Sequence, residues 1–456
     1  MSLNTKEDMT MPLYEQKMMN GFNLSQCEKH FHDHDETWLV IGGQGTGYYI
    51  DHSGKRTDFK LQAGDAWLIP AGYEHGSEGP NSDDFIISVF NGTMPEGAHK
   101  PGHYYVEKEG YVPQLELRKV PSERYRKRVE LPQVMRGVVF EDIGSPRFRT
   151  DLPVPACGDD QIVIRTLYSG ITNGTERNVL IGGNYGGRFP LSYGYQNVGE
   201  VVMIGEKTNT TLRIGDLVFS GQGGQGHREY IAVSGSNQED SGSLIVKLPE
   251  RVELQDAALF GMASVAINNV RRSGAGLGCR VLVVGLGPIG QFTAQAARAA
   301  GARVTTCDLV ESRLALSLAL GADEAINTGT EAGLERLKEV GPYDIVFEDS
   351  GAPVLDVLIG EGWAGGLVKM HGTVVMVAGR KEVLYNFNAA QAKQLNILHV
   401  GHFDRIDLLT LTDMVAKGTI RIAPVIQDRV SIEESEEQYI RLRDRSHEMM
   451  GVVFTW

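Results

Sequence analysis

The sequence predicts a multidomain protein, all-β in its N-terminal part and α/β in its C-terminal part, and three observations carry that expectation. The chain has 456 residues, more than a single hydrophobic core sustains. From His30 to about Asn91 it runs through short segments such as "TWLVIGG", "TGYYID", "DFKLQ", "AWLIPAG" and "FIISVFNG", separated by Gly, Asp and Ser, which is the pattern of a β-sandwich or barrel. Past "DAALFGMASVAINNVRRSG" the pattern turns to strand, helix, strand, with "RVLVVGLGPIGQFTAQAARAAGARVTTCD" as its clearest unit and "DEAIN", "YDIVFEDSG" and "GTVVMVAG" as later strands of a doubly wound parallel sheet.

Taken in order, the N-terminal "MSLNTKEDMTMPLYEQ" has no basic stretch followed by an apolar one, and no apolar run reaches about 18 residues. Neither a secretory signal nor a membrane span is expected, and a cytoplasmic location follows by default. After the first β-rich part, "KPGHYYVEKEGYVPQLELRKVPSERYRKRVE" is charged and interrupted by Pro101, Pro113 and Pro121, which suits a connector with a domain boundary near Pro121. From Leu131 to about Leu254 glycine-rich strands return, and the tail from Ile406 mixes helix with short strands. Cys27, Cys157, Cys279 and Cys307 form no CxxC pair, so they read as reduced cysteines rather than disulfide or zinc ligands. Hydrophobic residues make up 41% and charged residues 22%, as in a folded globular chain, and the formal charge of −14 disfavours nucleic acid or an anionic membrane as partner. A small-molecule substrate is expected.

The first cluster with chemistry in it is "HFHDHDETWLVIGG". Residues i and i+2 of a strand share a face, so His30 and His32 can converge inside a small barrel, with Glu36 joining from the following turn and His75 from a separate hairpin. Three imidazoles and a carboxylate suit a divalent first-row metal such as Zn, Mn, Fe or Ni. His30, His32, Glu36 and Gly43, then Gly64, Pro70, Gly72 and His75, stand at spacings that resemble the two motifs of the cupin superfamily, HxHxxxE(x)6G and G(x)5PxG(x)2H. The resemblance implies a cupin β-barrel over residues 1–120, connector included. His34 lies on the same alternation and could replace His30 in a shifted register, but the Glu-to-Gly spacing favours His30. Gly79 stands where the family pattern has an Asn. The alternative is a barrel without metal that binds a sugar or an anion. A bound metal could polarise a carbonyl for isomerisation or lactone opening, or activate dioxygen.

The second cluster is the turn Gly285, Gly287, Gly290 after an apolar strand, with Asp308 ending the next strand roughly 20 residues on. Gly285 allows the tight turn, Gly287 lets backbone approach a pyrophosphate, and Gly290 lets helix and strand pack closely, with Pro288 and Ile289 opening the helix. Asp308 is suited to a ribose 2′-hydroxyl and repels a 2′-phosphate, so NAD is favoured over NADP, with Arg313 nearby completing the cofactor set.

The succession of a β-rich lobe, this unit and a return segment, with "GYQNVGEVVMIGEKTNTTLRIGDLVF" and "FEDSGAP", resembles the medium-chain dehydrogenase/reductase superfamily. It implies a GroES-like catalytic domain over 121–260, completed by 402–456, and a Rossmann domain over 261–401. Zinc alcohol dehydrogenases of that superfamily carry Cys in a "GxCGxD" turn and His in a "GHE" turn; here Thr172 stands at the first, and Tyr195 and Gln196 at the second. A hydroxyl and an amide are poor zinc ligands. The expectation is therefore a dehydrogenase half with no catalytic zinc, whose "SGITNGTE" turn resembles bacteriochlorophyllide-type alcohol dehydrogenases. Thr172, Glu176, Tyr195, Gln196 and His227 are the candidates for polarising the substrate and moving its proton.

Two functional readings remain at this level. In the first, the chain is a two-module oxidoreductase of sugar metabolism that moves hydride between NAD and a sugar, sugar acid or polyol while the cupin acts on the same metabolite, a fusion that raises the local concentration of an intermediate. In the second, a zinc-free enoyl or quinone reductase carries a cupin used for sensing or oligomerisation. A homo-oligomer, dimer or tetramer, is expected in both.

Overall fold

The computed structural model describes residues 30–32, 35–50, 55–70, 73–77, 82, 84–91, 103–105, 131–205, 207–208, 210, 212–235, 244–363 and 365–456. His34, Ala71, Gly72, Gly79, Cys27, most of the expected connector and the polar N-terminus lie outside them. The chain divides into two compact units, residues 1–130 and 131–456.

The described part of the first unit is entirely strand and turn. Its strands are β1 (His30–His32), β2 (Glu36–Gly42), β3 (Gln44–Ile50), β4 (Arg56–Gln62), β5 (Ala66–Ile69), β6 (Glu74–Gly76), β7 (Ile86–Asn91) and β8 (His103–Tyr105). They form a five-stranded sheet in the order β4-β3-β6-β1-β8 and a three-stranded sheet in the order β5-β2-β7. Alternation along β2 sends Trp38 and Val40 inward, where they pack with Leu61, Ile69, Phe85 and Ile87. Gly43, which joins β2 to β3, and Gly64, which joins β4 to β5, take φ of +66° and +97°. Both spaced glycines of the sequence pattern thus sit where a side chain would be strained.

The second unit has two sheet systems. The strands β9 (Val134–Asp142) and β10 (Ser145–Pro153) form a hairpin ahead of β11 (Gln161–Gly170), β12 (Asn197–Ile204), β13 (Leu217–Ser220), β14 (Tyr230–Ser234) and β15 (Ile245–Lys247). The nucleotide-type sheet follows as β16 (Arg280–Val284), β17 (Arg303–Asp308), β18 (Glu324–Asn327), β19 (Tyr343–Glu348), β20 (Val368–Met376) and β21 (Asn396–His399). These six are all parallel, in the order β18-β17-β16-β19-β20-β21, the 3-2-1-4-5-6 order of a doubly wound sheet. The last strands, β22 (Ile426–Ser431) and β23 (Gly451–Thr455), return to the earlier sheet, where β23 pairs with β11.

The period of two explains the layers. Along β16, Val281 and Val283 enter one core with Phe292, Ala294 and the helix Phe260–Ser273, while Leu282 enters the opposite core with Cys307, Val346 and Leu358. Among the described residues no helix is long and apolar enough to cross a membrane.

Candidate functional site

In the first unit, β1 and β6 are neighbours and place His30 opposite His75, with His32 two residues along on the same face and Glu36 at the start of β2 in the other sheet. One potential ligand atom from each of the four lies within 4.8 Å of the others, and all four residues are buried. His75 Nδ1 is 2.9 Å from the Tyr73 carbonyl oxygen, a contact that requires a proton on that nitrogen. Its Nε2 lies 3.3 Å from Glu36 Oε1. A ring nitrogen beside a carboxylate oxygen is the arrangement of two ligands around one cation, and the Tyr73 carbonyl orients the ring as backbone carbonyls do for metal-bound histidines. His32 Nε2 lies 2.9 Å from Glu36 Oε2. Burial opposes ionisation of Glu36, but the charge and hydrogen bonds of His32 and His75 outweigh it and hold the carboxyl well below its ordinary range. The donor set fits a divalent first-row cation.

In the second unit the five expected catalytic candidates do come together, in two connected groups. Glu176 is fully enclosed: Oε1 accepts the Thr172 backbone N–H at 2.7 Å, and Oε2 accepts from His227 Nε2 at 3.1 Å and from the Tyr439 hydroxyl at 2.5 Å. His227 Nδ1 is 2.8 Å from Ser169 Oγ, which accepts the Trp456 indole N–H at 2.9 Å. With the proton of His227 on Nε2, every donor in this chain points towards the Glu176 carboxylate. Gly194, at φ +133°, passes so close to His227 that a Cβ there would lie 2.8 Å from Nε2. The other group is Gln196, whose amide nitrogen donates to the Gly170 carbonyl and to Thr172 Oγ1 and whose oxygen accepts the Met262 N–H, with Tyr195 next to Thr172. Burial above all, and then the Glu176 charge, raises the Tyr195 phenol well above its ordinary value, so it stays protonated.

The glycine turn follows β16 directly. Gly285 has φ +91°, and a Cβ there would strike Ser350; a Cβ on Gly290 would sit 2.0 Å from the Gly285 carbonyl oxygen; one on Gly287 would meet nothing within 4 Å. Pro288 and Ile289 begin the helix Pro288–Ala299 with Gly287 as its N-cap. Asp308 ends β17, its Oδ2 accepting the Leu286 N–H at 2.6 Å and its Oδ1 the Leu309 N–H at 2.7 Å. Arg313 Nη1 is 3.8 Å from Asp308, and its Nη2 donates to the His447 and Met449 carbonyls.

Sequence reasoning missed Tyr439, Ser169 and Trp456, because Tyr439 meets Glu176 across 263 residues and no local pattern encodes that. It also passed over His402, although a histidine just past the last parallel strand stands where the ligand crevices of such sheets open.

A family model described as zinc-binding dehydrogenase matches residues 288–417. Sorbitol dehydrogenase 1 of Saccharomyces cerevisiae is 25% identical over 342 residues, covering 66% of this chain and 93% of its own. D-xylulose reductase A of Aspergillus oryzae is 26% identical over 336 residues, covering 66% of this chain and 91% of its own. The crystal structure of 2R,3R-butanediol dehydrogenase from Bacillus subtilis shares the fold, with a TM-score of 0.61 at 20% identity, over 71% of this chain and 99% of that one.

These findings correct the expectation of a dehydrogenase half with no catalytic zinc. The matching model is that of a zinc-binding dehydrogenase, two relatives are a sorbitol dehydrogenase and a xylulose reductase, and the chain carries, in its first unit, a His/Glu cluster whose atoms could hold a metal ion. The expectation weighed only the two turns holding Thr172 and Tyr195–Gln196. A metal site draws its donors from segments far apart in sequence, so two short turns do not decide it. The second unit is a medium-chain, alcohol dehydrogenase-like domain, and the chain is an NAD(P)-dependent oxidoreductase.

Proposed function

We propose that the chain is a two-module oxidoreductase in which the second unit moves hydride between NAD and a polar hydroxy or keto compound of the polyol or sugar class. The first unit is read as a cupin that holds a divalent metal on His30, His32, Glu36 and His75 and acts on or binds the same or a related metabolite. In this reading residues 121–260 with 402–456 form the substrate-binding part and 261–401 the nucleotide domain.

The observation that carries the reading is the turn Gly285–Gly290 between β16 and its helix, with Asp308 at the end of β17. The open backbone at Gly287 and the helix N-terminus suit a pyrophosphate, and the Asp308 carboxylate suits a ribose hydroxyl. NAD bound there supplies the hydride acceptor. The protonated Tyr195 phenol, backed by Thr172 and Gln196, can donate to a substrate oxygen, and the sealed Glu176–His227–Tyr439 chain holds the Thr172 backbone in place. The polyol class is supported by the sorbitol and xylulose relatives.

The test combines NAD and NADP reduction by a panel of polyols and sugars with metal analysis of the full chain and of His32→Ala. Reduction of NAD by a polyol, with about one metal ion per chain lost in His32→Ala, is expected. Turnover confined to quinones or enones would refute the polyol reading. An unchanged metal content in His32→Ala would refute the proposed ligand set.

A further inference from the structure

His402 follows β21, the last strand of the parallel sheet, and so lies beyond the carboxyl ends of the strands, on the same edge as the Gly285 turn. Its ring sits 5.1 Å from that of Tyr195, which comes from the turn before β12 in the β-rich sheet system. The two residues therefore face each other across the lobes of the second unit. Tyr195 is buried and His402 is exposed, so the row Gln196, Thr172, Tyr195, His402 runs from the interior to solvent.

The imidazole is held there at a conformational cost. His402 has φ +57°, a left-handed backbone uncommon in residues other than Gly, though His, Asn and Asp adopt it more often than the rest. The Asn268 side chain donates to its carbonyl at 3.0 Å, and its ring stacks on buried Phe403 at 4.5 Å with planes 22° apart. Strain that the surroundings over-determine in this way gathers at functional positions. Its Nδ1 lies 3.3 Å from the Phe403 carbonyl oxygen, which commits the ring proton to that nitrogen and leaves Nε2 with a lone pair. Although the residue reaches solvent, partial burial of the ring lowers the imidazole below its ordinary value, against a smaller opposing pull from the Phe403 carbonyl, which favours the neutral base. Tyr195, by contrast, is held protonated and cannot accept a proton.

We propose that His402 Nε2 is the general base of alcohol oxidation and the general acid of the reverse reaction. The assignment rests on the hydride-transfer reading above. As the substrate C–H bond breaks and its electron pair passes with hydrogen to NAD, the O–H bond breaks, its proton goes to Nε2, and the carbon–oxygen double bond forms. The products are ketone, NADH and the imidazolium, while the Tyr195 phenol donates to the substrate oxygen throughout.

His402→Asn tests this, because Asn tolerates the left-handed backbone and removes only the ring. The reaction is NAD reduction with the best polyol found for the wild type, alongside NADH affinity by fluorescence titration. We expect kcat to fall by about 100-fold or more, as for loss of a general base, with NADH affinity within about twofold and partial recovery on adding imidazole. A kcat within about threefold of wild type overturns the role of His402 and leaves the hydride-transfer reading standing. A loss of turnover with weakened NADH binding and no imidazole rescue also overturns it, because that pattern marks a structural residue. A wild-type chain that turns over no alcohol or ketone overturns the hydride-transfer reading, and the role of His402 with it.

Discussion

Tyr439→Phe removes one oxygen atom from the centre of the buried chain around Glu176. In the native structure Glu176 Oε2 accepts from both Tyr439 and His227, and Oε1 accepts from the Thr172 backbone. The phenol is held far above its ordinary value, by burial first and then by the Glu176 charge, so it is a neutral donor to a carboxylate. A hydrogen bond to a charged group contributes about 1.5–3 kcal/mol net. Because Oε2 keeps His227, the cost of Tyr439→Phe should fall in the middle of that range, about 2 kcal/mol. Glu176→Ala instead leaves the Thr172 N–H, His227 and Tyr439 without their acceptor and should cost about 3–5 kcal/mol. Urea unfolding of the full chain gives both values, with Tyr385→Phe, a partly exposed tyrosine, as the control expected to stay within about 0.5 kcal/mol. If Tyr439→Phe unfolds like the control, the hydroxyl does not anchor Glu176 and the picture of a sealed, fully satisfied network is wrong.

Other outcomes follow from single positions. Gly290→Ala puts a Cβ 2.0 Å from the Gly285 carbonyl oxygen and must push the helix from the turn, so NADH should bind at least about 10-fold more weakly in a fluorescence titration; unchanged affinity would mean that the turn does not hold the nucleotide. Asp349 is buried beside this turn, and burial first, then the Glu348 charge, raises its carboxyl well above the ordinary range, with only a partial offset from the Thr293 hydroxyl. The folded chain therefore holds a proton that the unfolded chain releases, so this group lowers stability as pH rises above the ordinary Asp value, by about 1.4 kcal/mol per pH unit while the folded carboxyl stays protonated. Asp349→Asn should accordingly be more stable than wild type at pH 7, with the difference shrinking towards pH 4 in denaturant titrations. A constant difference across that range would show that Asp349 ionises normally.

The legible parts of this chain are those whose chemistry is local. The i, i+2 spacing of His30 and His32 placed both on one face of β1, and the glycines at 43, 64, 285 and 290 stand where φ or close backbone approach excludes a side chain. The strand–turn–helix around Gly285 needs only its own thirty or so residues, and its period-two apolar pattern alone gives the two cores on either face of the sheet. The sequence erred where it weighed two short turns as a whole metal site, for the donors of such a site are gathered from distant segments.

Composition, spacing and turn chemistry determined by themselves that this chain has a β-rich N-terminal unit with a convergent His/Glu set and a later dinucleotide-type turn, because a strand's or turn's geometry follows from a few neighbouring residues. Only the tertiary structure decided which side chains complete each site. Tyr439 reaches Glu176 across 263 residues, Trp456 reaches Ser169 across 287, and His402 meets Tyr195 only when the parallel sheet and the β-rich sheet are both folded. No local pattern carries such contacts, since they are fixed by the packing of whole layers.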